Sequence, residues 1–192
     1  EAADSDPLAA TRRDSTALTV VRLDLSTVPT LGLPTYCVVH RRRWTGTPHP
    51  DLYGALLDLA RHVWHARYVV VDATGVGAGL ASFLARALGE RVVPYLFTAR
   101  SKSDLGWGFL AVVDTGRFKD HAPCADDDQA QFWREVEACE YEVVPGVQHL
   151  LRWGVPDPTV HDDLLISAAL CAALDQLPWR YETRSYLLEP EA

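Results

Sequence analysis

A chain of 192 residues is long enough for one domain with a substantial core, or at most two small ones. With 48% hydrophobic residues the core is easily filled, yet no apolar run reaches the length of a membrane span and no charged-then-apolar leader opens the chain. A formal net charge of −8 argues against tight nucleic-acid binding overall, because such binding rests on counterion release by Lys and Arg.

The elements follow in chain order. Glu1 to Asp6 reads as the tail of a strand. Thr16 to Asp24, rich in Val, Leu and Thr, reads as a strand. A turn over Pro29 to Pro34 leads to a second strand, Thr35 to Trp44, antiparallel to the first. Pro50 to His65 carries Leu52, Leu56, Leu59, Ala60 and Val63 at helical spacing. Arg67 to Asp72 is a short apolar strand of the kind buried on both faces. The turn Thr74-Gly75-Val76-Gly77-Ala78-Gly79 opens a helix over Leu80 to Leu88, which Gly89 ends. Arg91 to Thr98 is the next strand, and the strand–helix–strand unit implies a parallel pair with a right-handed crossover.

After a polar loop holding Arg100, a helix is expected over Ser101 to Asp114, and an amphipathic one over Asp127 to Glu140. Tyr141 to Val144 and Gln148 to Trp153 flank a Pro145-Gly146 turn as a hairpin. The last helix, His161 to Gln176, is apolar nearly all round and should be buried. The order gives a mixed α/β domain over residues 1–178, with a central sheet that starts as an antiparallel hairpin, continues parallel and carries helices on both faces. Residues 179–192 form a polar tail. The four cysteines, Cys37, Cys124, Cys139 and Cys171, show no CxxC spacing, which points to a reducing compartment, with Cys171 a small buried hydrophobe. The chain contains no Met and opens on Glu1, the mark expected of a domain taken from a longer protein.

Three acidic groups carry the chemistry. They are Asp4 with Asp6, Asp72 at the end of its strand, and Asp162-Asp163 at the mouth of the last helix. Each has an ordinary explanation. Aspartate is a favoured helix N-cap, worth about 0.3–1 kcal/mol from the dipole alone, which accounts for one of Asp162 and Asp163 better than for both. Asp72 can close the Thr74-Gly75 turn, but a carboxylate ending a buried strand is costly unless paired, hydrogen-bonded or bound to a cation. Asp6-Pro7 is an ordinary turn opener. Strand ends and helix starts are nevertheless where α/β sheets place their sites. A set of carboxylates brought together there suits two hard divalent cations, Mg²⁺ or Mn²⁺, about 3.5–4 Å apart, which activate water and stabilise the leaving oxygen of a phosphodiester.

The glycine-rich turn lacks a following Lys-Ser or Lys-Thr and the dinucleotide spacing, so it is read as a tight turn beside Asp72 with room for a metal or backbone phosphate rather than as a nucleotide loop. Local basic points soften the acidic total: Arg12-Arg13, Arg41-Arg42-Arg43, Arg100 with Lys102, and Arg117 with Lys119. The arginine triplet alternates along a strand, so only part of it can face one partner. Arg100 and Lys102 are either a solvated loop pair or contacts to a phosphate.

The chain resembles the C-terminal nuclease domain of a viral large terminase. The stretches that carry the resemblance, in order, are Asp6 followed by Asp14-Ser15-Thr16-Ala17-Leu18; Trp44-Thr45-Gly46-Thr47-Pro48; Val70-Val71-Asp72-Ala73-Thr74-Gly75-Val76-Gly77; Lys102-Ser103-Asp104-Leu105; and His161-Asp162-Asp163-Leu164. The resemblance implies an RNase H-like fold and a two-metal DNA endonuclease that cuts concatemeric viral DNA during packaging. It implies Asp6, Asp72 and Asp163 as catalytic and metal-holding residues, Asp162 assisting, Asp4 as the alternative first-strand ligand, and Arg100 and Lys102 at the DNA. Expected partners are double-stranded DNA, the terminase ATPase domain, the portal and the small terminase subunit, in host cytoplasm and transiently on the procapsid, with no membrane. Rival readings are a junction resolvase, a transposase-type enzyme, or a non-cutting domain that docks the motor or portal.

Overall fold

The computed structural model describes residues 15–122 and 126–180. Its longest ladder is the hairpin of β1 (Ser15–Asp24) and β2 (Thr35–Thr45), antiparallel as expected. The register steps by one residue between Val20, opposite His40, and Val21, opposite Val38, so Val39 is a bulge on β2. Between the strands lies one helical turn, α1 (Val28–Leu31), closed by Gly32 at φ +72, a left-handed value that glycine adopts without a Cβ penalty. A two-residue strand, β5 (Phe118–Lys119), pairs parallel with β2; the sequence reading does not foresee it, being too short to carry a pattern.

The helix expected from Pro50 to His65 is α2 (His49–Asp58), continued by a wider turn over Leu59–Val63. Then β3 (Val69–Asp72), α3 (Gly77–Leu88) and β4 (Val92–Tyr95) form the expected parallel unit, with Val69 opposite Val92 and Asp72 opposite Tyr95. Leu84, Leu88 and Val92 are buried where α2 and α3 cover this pair. β4 is shorter than the expected Arg91–Thr98. The residues that follow turn into α4 (Ala99–Asp114), whose first turn is set by a capping box: the Ser101 N–H donates to the Thr98 hydroxyl (3.0 Å), and the Ser101 hydroxyl accepts from the Thr98 N–H (2.8 Å).

α5 (Asp127–Ala138) is capped by Asp126, which accepts from the Asp128 N–H at 3.0 Å. β6 (Glu140–Val143) and β7 (Leu151–Gly154) make the expected hairpin. The last helix is α6 (Asp163–Ala169) tightened into a 3₁₀ segment over Leu170–Gln176. Its Leu164, Leu165, Ala168, Cys171 and Leu174 are buried with Tyr36, Leu105, Val112, Phe132 and Trp153 in the main core. Trp179 closes that core's edge: its indole N–H donates to the Leu174 carbonyl (2.8 Å) and its ring meets Tyr68 edge-on at 5.8 Å, so the expected tail is anchored where it begins.

The architecture is mixed α/β, with antiparallel and parallel pairing and flanking helices. Among the described residues the pairing falls into three ladders, β1-β2-β5, β3-β4 and β6-β7, instead of one continuous sheet. One edge of β1 and one edge of β3 carry no described partner, and both strands line the same cleft. β3 is therefore half-buried, not buried on both faces as expected, and its last residue, Asp72, is exposed.

Two of the basic points are structural. Arg41 is buried: it donates to Asp120 at 2.8 Å, and its guanidinium lies 4.0 Å from the centre of the Phe132 ring. Arg117 is also buried. It makes a two-pronged bond to Asp175 (3.0 and 2.7 Å) and donates to the Pro34 carbonyl, while the Tyr36 hydroxyl donates to Asp175 at 2.7 Å. Asp175 holds the Arg117 guanidinium firmly charged, and burial pushes the Tyr36 phenol far above its ordinary range. The clamp ties the C-terminal 3₁₀ segment to β2 and to the turn before β5.

Candidate active-site cleft

A cleft of about 1110 Å³ runs between β1 and β3, and Asp72, Lys102, Asp162 and Asp163 all line it. Residues from sequence positions ninety apart thus reach one wall system, because β3 ends, α4 begins and α6 begins around the same opening.

Asp72 is oriented by its own turn. The Thr74 N–H donates to Asp72 Oδ1 at 2.7 Å, so the turn-closing role weighed from the sequence is real and occupies one oxygen. The Thr74 hydroxyl accepts from the Phe97 N–H (2.8 Å), and the Ala73 N–H donates to the Tyr95 carbonyl (2.8 Å), which lock the turn to the neighbouring strand. Gly75 sits at φ +53. Gly77 belongs to the first turn of α3, and a Cβ there would stand 2.5 Å from the Asp72 carbonyl oxygen. Only glycine lets the helix start this close behind the aspartate. The glycine-rich turn is therefore the tight turn beside Asp72 that its sequence indicates, and the space at Gly77 is taken by the Asp72 carbonyl. Gly79 has no neighbour within 4 Å of a notional Cβ, so packing does not require glycine there.

Arg100 is not in a loop: it stands with Lys102 in the first turn of α4, because the Thr98–Ser101 capping box starts the helix earlier than expected. Cations at a helix N-terminus oppose the dipole, and that turn carries no acidic residue to offset them. Trp153 supports Lys102 from below. Its indole N–H donates to the Lys102 carbonyl at 2.7 Å, and the ammonium lies 5.6 Å from the ring centre. Arg100 instead pairs with Asp104 one turn along at 3.1 Å on the exposed face, and it does not line the cleft.

Asp162 and Asp163 enter at the base of α6. Asp162 holds the N-cap position at φ −113 and ψ 20, yet its side chain makes no capping bond. Its Oδ2 lies 3.1 Å from where a Cβ on Gly154 would be, and Lys102 Nζ lies 3.5 Å from the same point. The carboxylate and the ammonium therefore converge over the end of β7, at a glycine with φ +142. Asp163 has His161 Nδ1 at 4.0 Å from its Oδ2.

Glu135 is a residue the sequence reading passes over inside an acidic run. It is fully buried; its Oε2 accepts from the Leu165 N–H (2.9 Å) and its Oε1 from Gln131 (3.3 Å). Burial raises its carboxyl above the ordinary glutamate value against those hydrogen bonds, and Asp163 adds to the rise. The signal that exposes it is phase: Glu135 falls on the Phe132–Val136 face of the helix, which points to the core.

Among the described residues no three carboxylates, histidines or cysteines gather closely enough to hold one ion. Asp4 and Asp6, the expected first-strand pair, lie outside the described residues. The carboxylates that line the cleft, Asp72, Asp162 and Asp163, offer oxygen donors, the chemistry a hard divalent cation takes.

No family profile matches the sequence, and no curated protein sequence matches it. Two solved structures do match in fold. One is the large terminase nuclease from thermophilic phage G20c: the TM-score is 0.59 and the identity 22%, over 86% of this chain and 76% of that one. The other is the G20c large terminase nuclease with bound cobalt: the TM-score is 0.57 and the identity 17%, over 82% of this chain and 81% of that one. The chain has the fold of a large terminase nuclease. The RNase H-like architecture expected from the sequence is thereby borne out as a fold. In this terminase-nuclease fold the cleft between β1 and β3 is the opening that Asp72, Asp162, Asp163 and Lys102 share.

Proposed function

We propose that this chain is the metal-dependent DNA endonuclease domain of a phage packaging motor, acting on the phosphodiester backbone of double-stranded viral DNA. The observation that carries the reading is the shared cleft. Asp72, Asp162, Asp163 and Lys102 come from three separated segments and line one opening, in a fold whose G20c counterpart was solved with bound cobalt.

Asp72 and Asp163 would hold divalent cations, with Asp162 beside them and Asp6 or Asp4 completing the set. Ser15, the first described residue and nine positions after Asp6 in the sequence, lines the same cleft. Bound Mg²⁺ or Mn²⁺ supplies activation of water and charge neutralisation at the phosphate. The chain's own residues do the rest. The Asp72 turn presents one carboxylate oxygen while the other is held by Thr74. Lys102, propped on Trp153, offers a cation to a phosphate oxygen at the rim. Arg100, exposed on the same first turn, would touch a neighbouring phosphate.

Backbone contacts of this kind carry little sequence information, and with a net charge of −8 the isolated domain would bind DNA weakly. Docking to an ATPase domain, portal and small terminase subunit, in the host cytoplasm and transiently on the procapsid, would supply the missing affinity. The deciding experiment is plasmid nicking with Mn²⁺ by the wild type and Asp72→Asn. Nicking by the wild type and a loss of roughly a hundredfold in the variant is expected for removal of a charge-stabilising ligand. Equal nicking by both removes Asp72 from the site.

A further inference from the structure

Asp162 stands at the N-cap of α6 and does not cap it. Aspartate in that position ordinarily accepts from the second or third amide of the helix, which is why it is favoured there. Here the third amide, Leu165 N–H, is taken by Glu135 Oε2 at 2.9 Å, reaching across from α5. The Asp162 backbone still starts the helix, its carbonyl accepting from the Ile166 N–H at 2.8 Å. The residue is thus fixed while its carboxylate turns to Gly154, beside Lys102.

A fully buried glutamate is an expensive way to cap a helix. The neighbouring aspartate could do it locally at little cost, and its presence makes Glu135 redundant as a cap unless Asp162 has other work. We infer that Glu135 is a positioning residue for the cleft: by holding the Leu165 amide it releases the Asp162 carboxylate to stand with Lys102, and it sets the first turn on which Asp163 faces the same opening. Gln131 completes the arrangement by holding Glu135 Oε1. The inference rests on the nuclease reading for what Asp162 and Asp163 do, but the division of labour between the two acids stands on geometry alone.

The experiment compares the wild type, Glu135→Ala, Glu135→Gln, Gln131→Ala and Asp162→Ala by amide hydrogen exchange over α6 and by thermal melting against Mn²⁺ concentration. Leu165 exchange is expected to quicken by about tenfold or more in Glu135→Ala, and to stay within about threefold of wild type in both Glu135→Gln and Asp162→Ala. The Mn²⁺ concentration for a half-maximal shift should rise about tenfold in Glu135→Ala and be rescued by Glu135→Gln, whose carbonyl oxygen still accepts from Leu165. Gln131→Ala, which removes only one bond to the glutamate, is the milder variant and should fall between the two.

Tenfold faster Leu165 exchange in Asp162→Ala would show that Asp162 is the cap in solution and overturn the inference; this arm decides even if Glu135→Ala does not fold. A loosened Leu165 amide in Glu135→Ala with an unchanged Mn²⁺ response would make Glu135 a structural cap only, which also overturns it. Absence of any Mn²⁺ response in the wild type counts against the nuclease reading instead, and leaves the exchange arm to decide between Glu135 and Asp162.

Discussion

Trp153 holds Lys102 in two ways at once: its indole N–H donates to the Lys102 carbonyl at 2.7 Å while its ring lies 5.6 Å beneath the ammonium. The ring can reach that place only because α4 offers Gly106 against it. A Cβ on Gly106 would stand 2.4 Å from the indole nitrogen and 2.8 Å from a Leu151 methyl. Support for the proposed phosphate-contacting lysine is therefore built from a small residue on the same helix and an aromatic one on the hairpin.

Gly106→Ala should consequently displace Trp153. Overpacking a filled core costs about 1–3 kcal/mol, even though alanine is the better helix former by about 1 kcal/mol. The expected result is a lower melting temperature, together with reduced Mn²⁺-dependent nicking because Lys102 loses its prop. A variant that melts higher than wild type would mean the indole is not packed against Gly106.

The buried clamp predicts a larger effect. Asp175→Ala strands the Arg117 guanidinium, whose side chain is 4% exposed, and deprives the Tyr36 hydroxyl of its acceptor. Breaking a buried pair by removing one partner costs about 3–5 kcal/mol, a fall on the order of 10 °C in melting temperature for a chain this size. Replacing both partners together, as Arg117→Met with Asp175→Leu, should cost less than the single change, since no uncompensated charge remains. Thermal melting of the single and double variants checks both the size and the order.

These two cases mark the limit of what a linear pattern shows. The antiparallel opening, the β3–α3–β4 unit, the β6–β7 hairpin and the buried last helix are all legible from alternation, helical spacing and glycine stops. So is the placing of Asp72, Asp162 and Asp163 on one cleft, since strand ends and helix starts converge in an α/β fold. Arg41 and Arg117 are not legible as buried, because a charged residue reads as surface until its partner, here Asp120 or Asp175, arrives from far along the chain. Arg100 is misplaced in a loop although Thr98 and Ser101 spell a capping box. Glu135 is hidden by its acidic neighbours despite lying in phase with Phe132.

Glu135 also makes a pH prediction. Its carboxyl is raised by burial, so the folded state holds its proton more tightly than the unfolded chain does. Stability contributed by this residue therefore grows as pH falls through the window above the ordinary glutamate value, and is lost as pH rises past it. Glu135→Gln carries no such charge and keeps the acceptor for Leu165, while the Gln131 carboxamide can turn over to accept from it. The variant should melt at or above wild type at neutral pH, and the gap should narrow as the pH is lowered. Melting curves at matched ionic strength test this; a gap that widens on acidification would reverse the assigned direction.

Gly154→Ala tests the meeting point of Asp162 and Lys102. The substituted residue would have to adopt φ +142, a conformation L side chains avoid, and its Cβ would crowd Asp162 Oδ2 at 3.1 Å, with Lys102 Nζ in ordinary contact at 3.5 Å. Backbone strain of this type costs about 1–3 kcal/mol, so some loss of stability is expected. The more telling outcome concerns the cleft. The tight contact falls on the end of the Asp162 side chain, which moves aside more easily than backbone does, and moving it shifts the carboxylate relative to the ammonium. Nicking should therefore fall further than in a stability-matched control such as Leu88→Val, which thins the core beneath α3 at a residue that does not line the cleft. Equal nicking in the two variants would show that the spacing of Asp162 and Lys102 over Gly154 does not matter to the reaction.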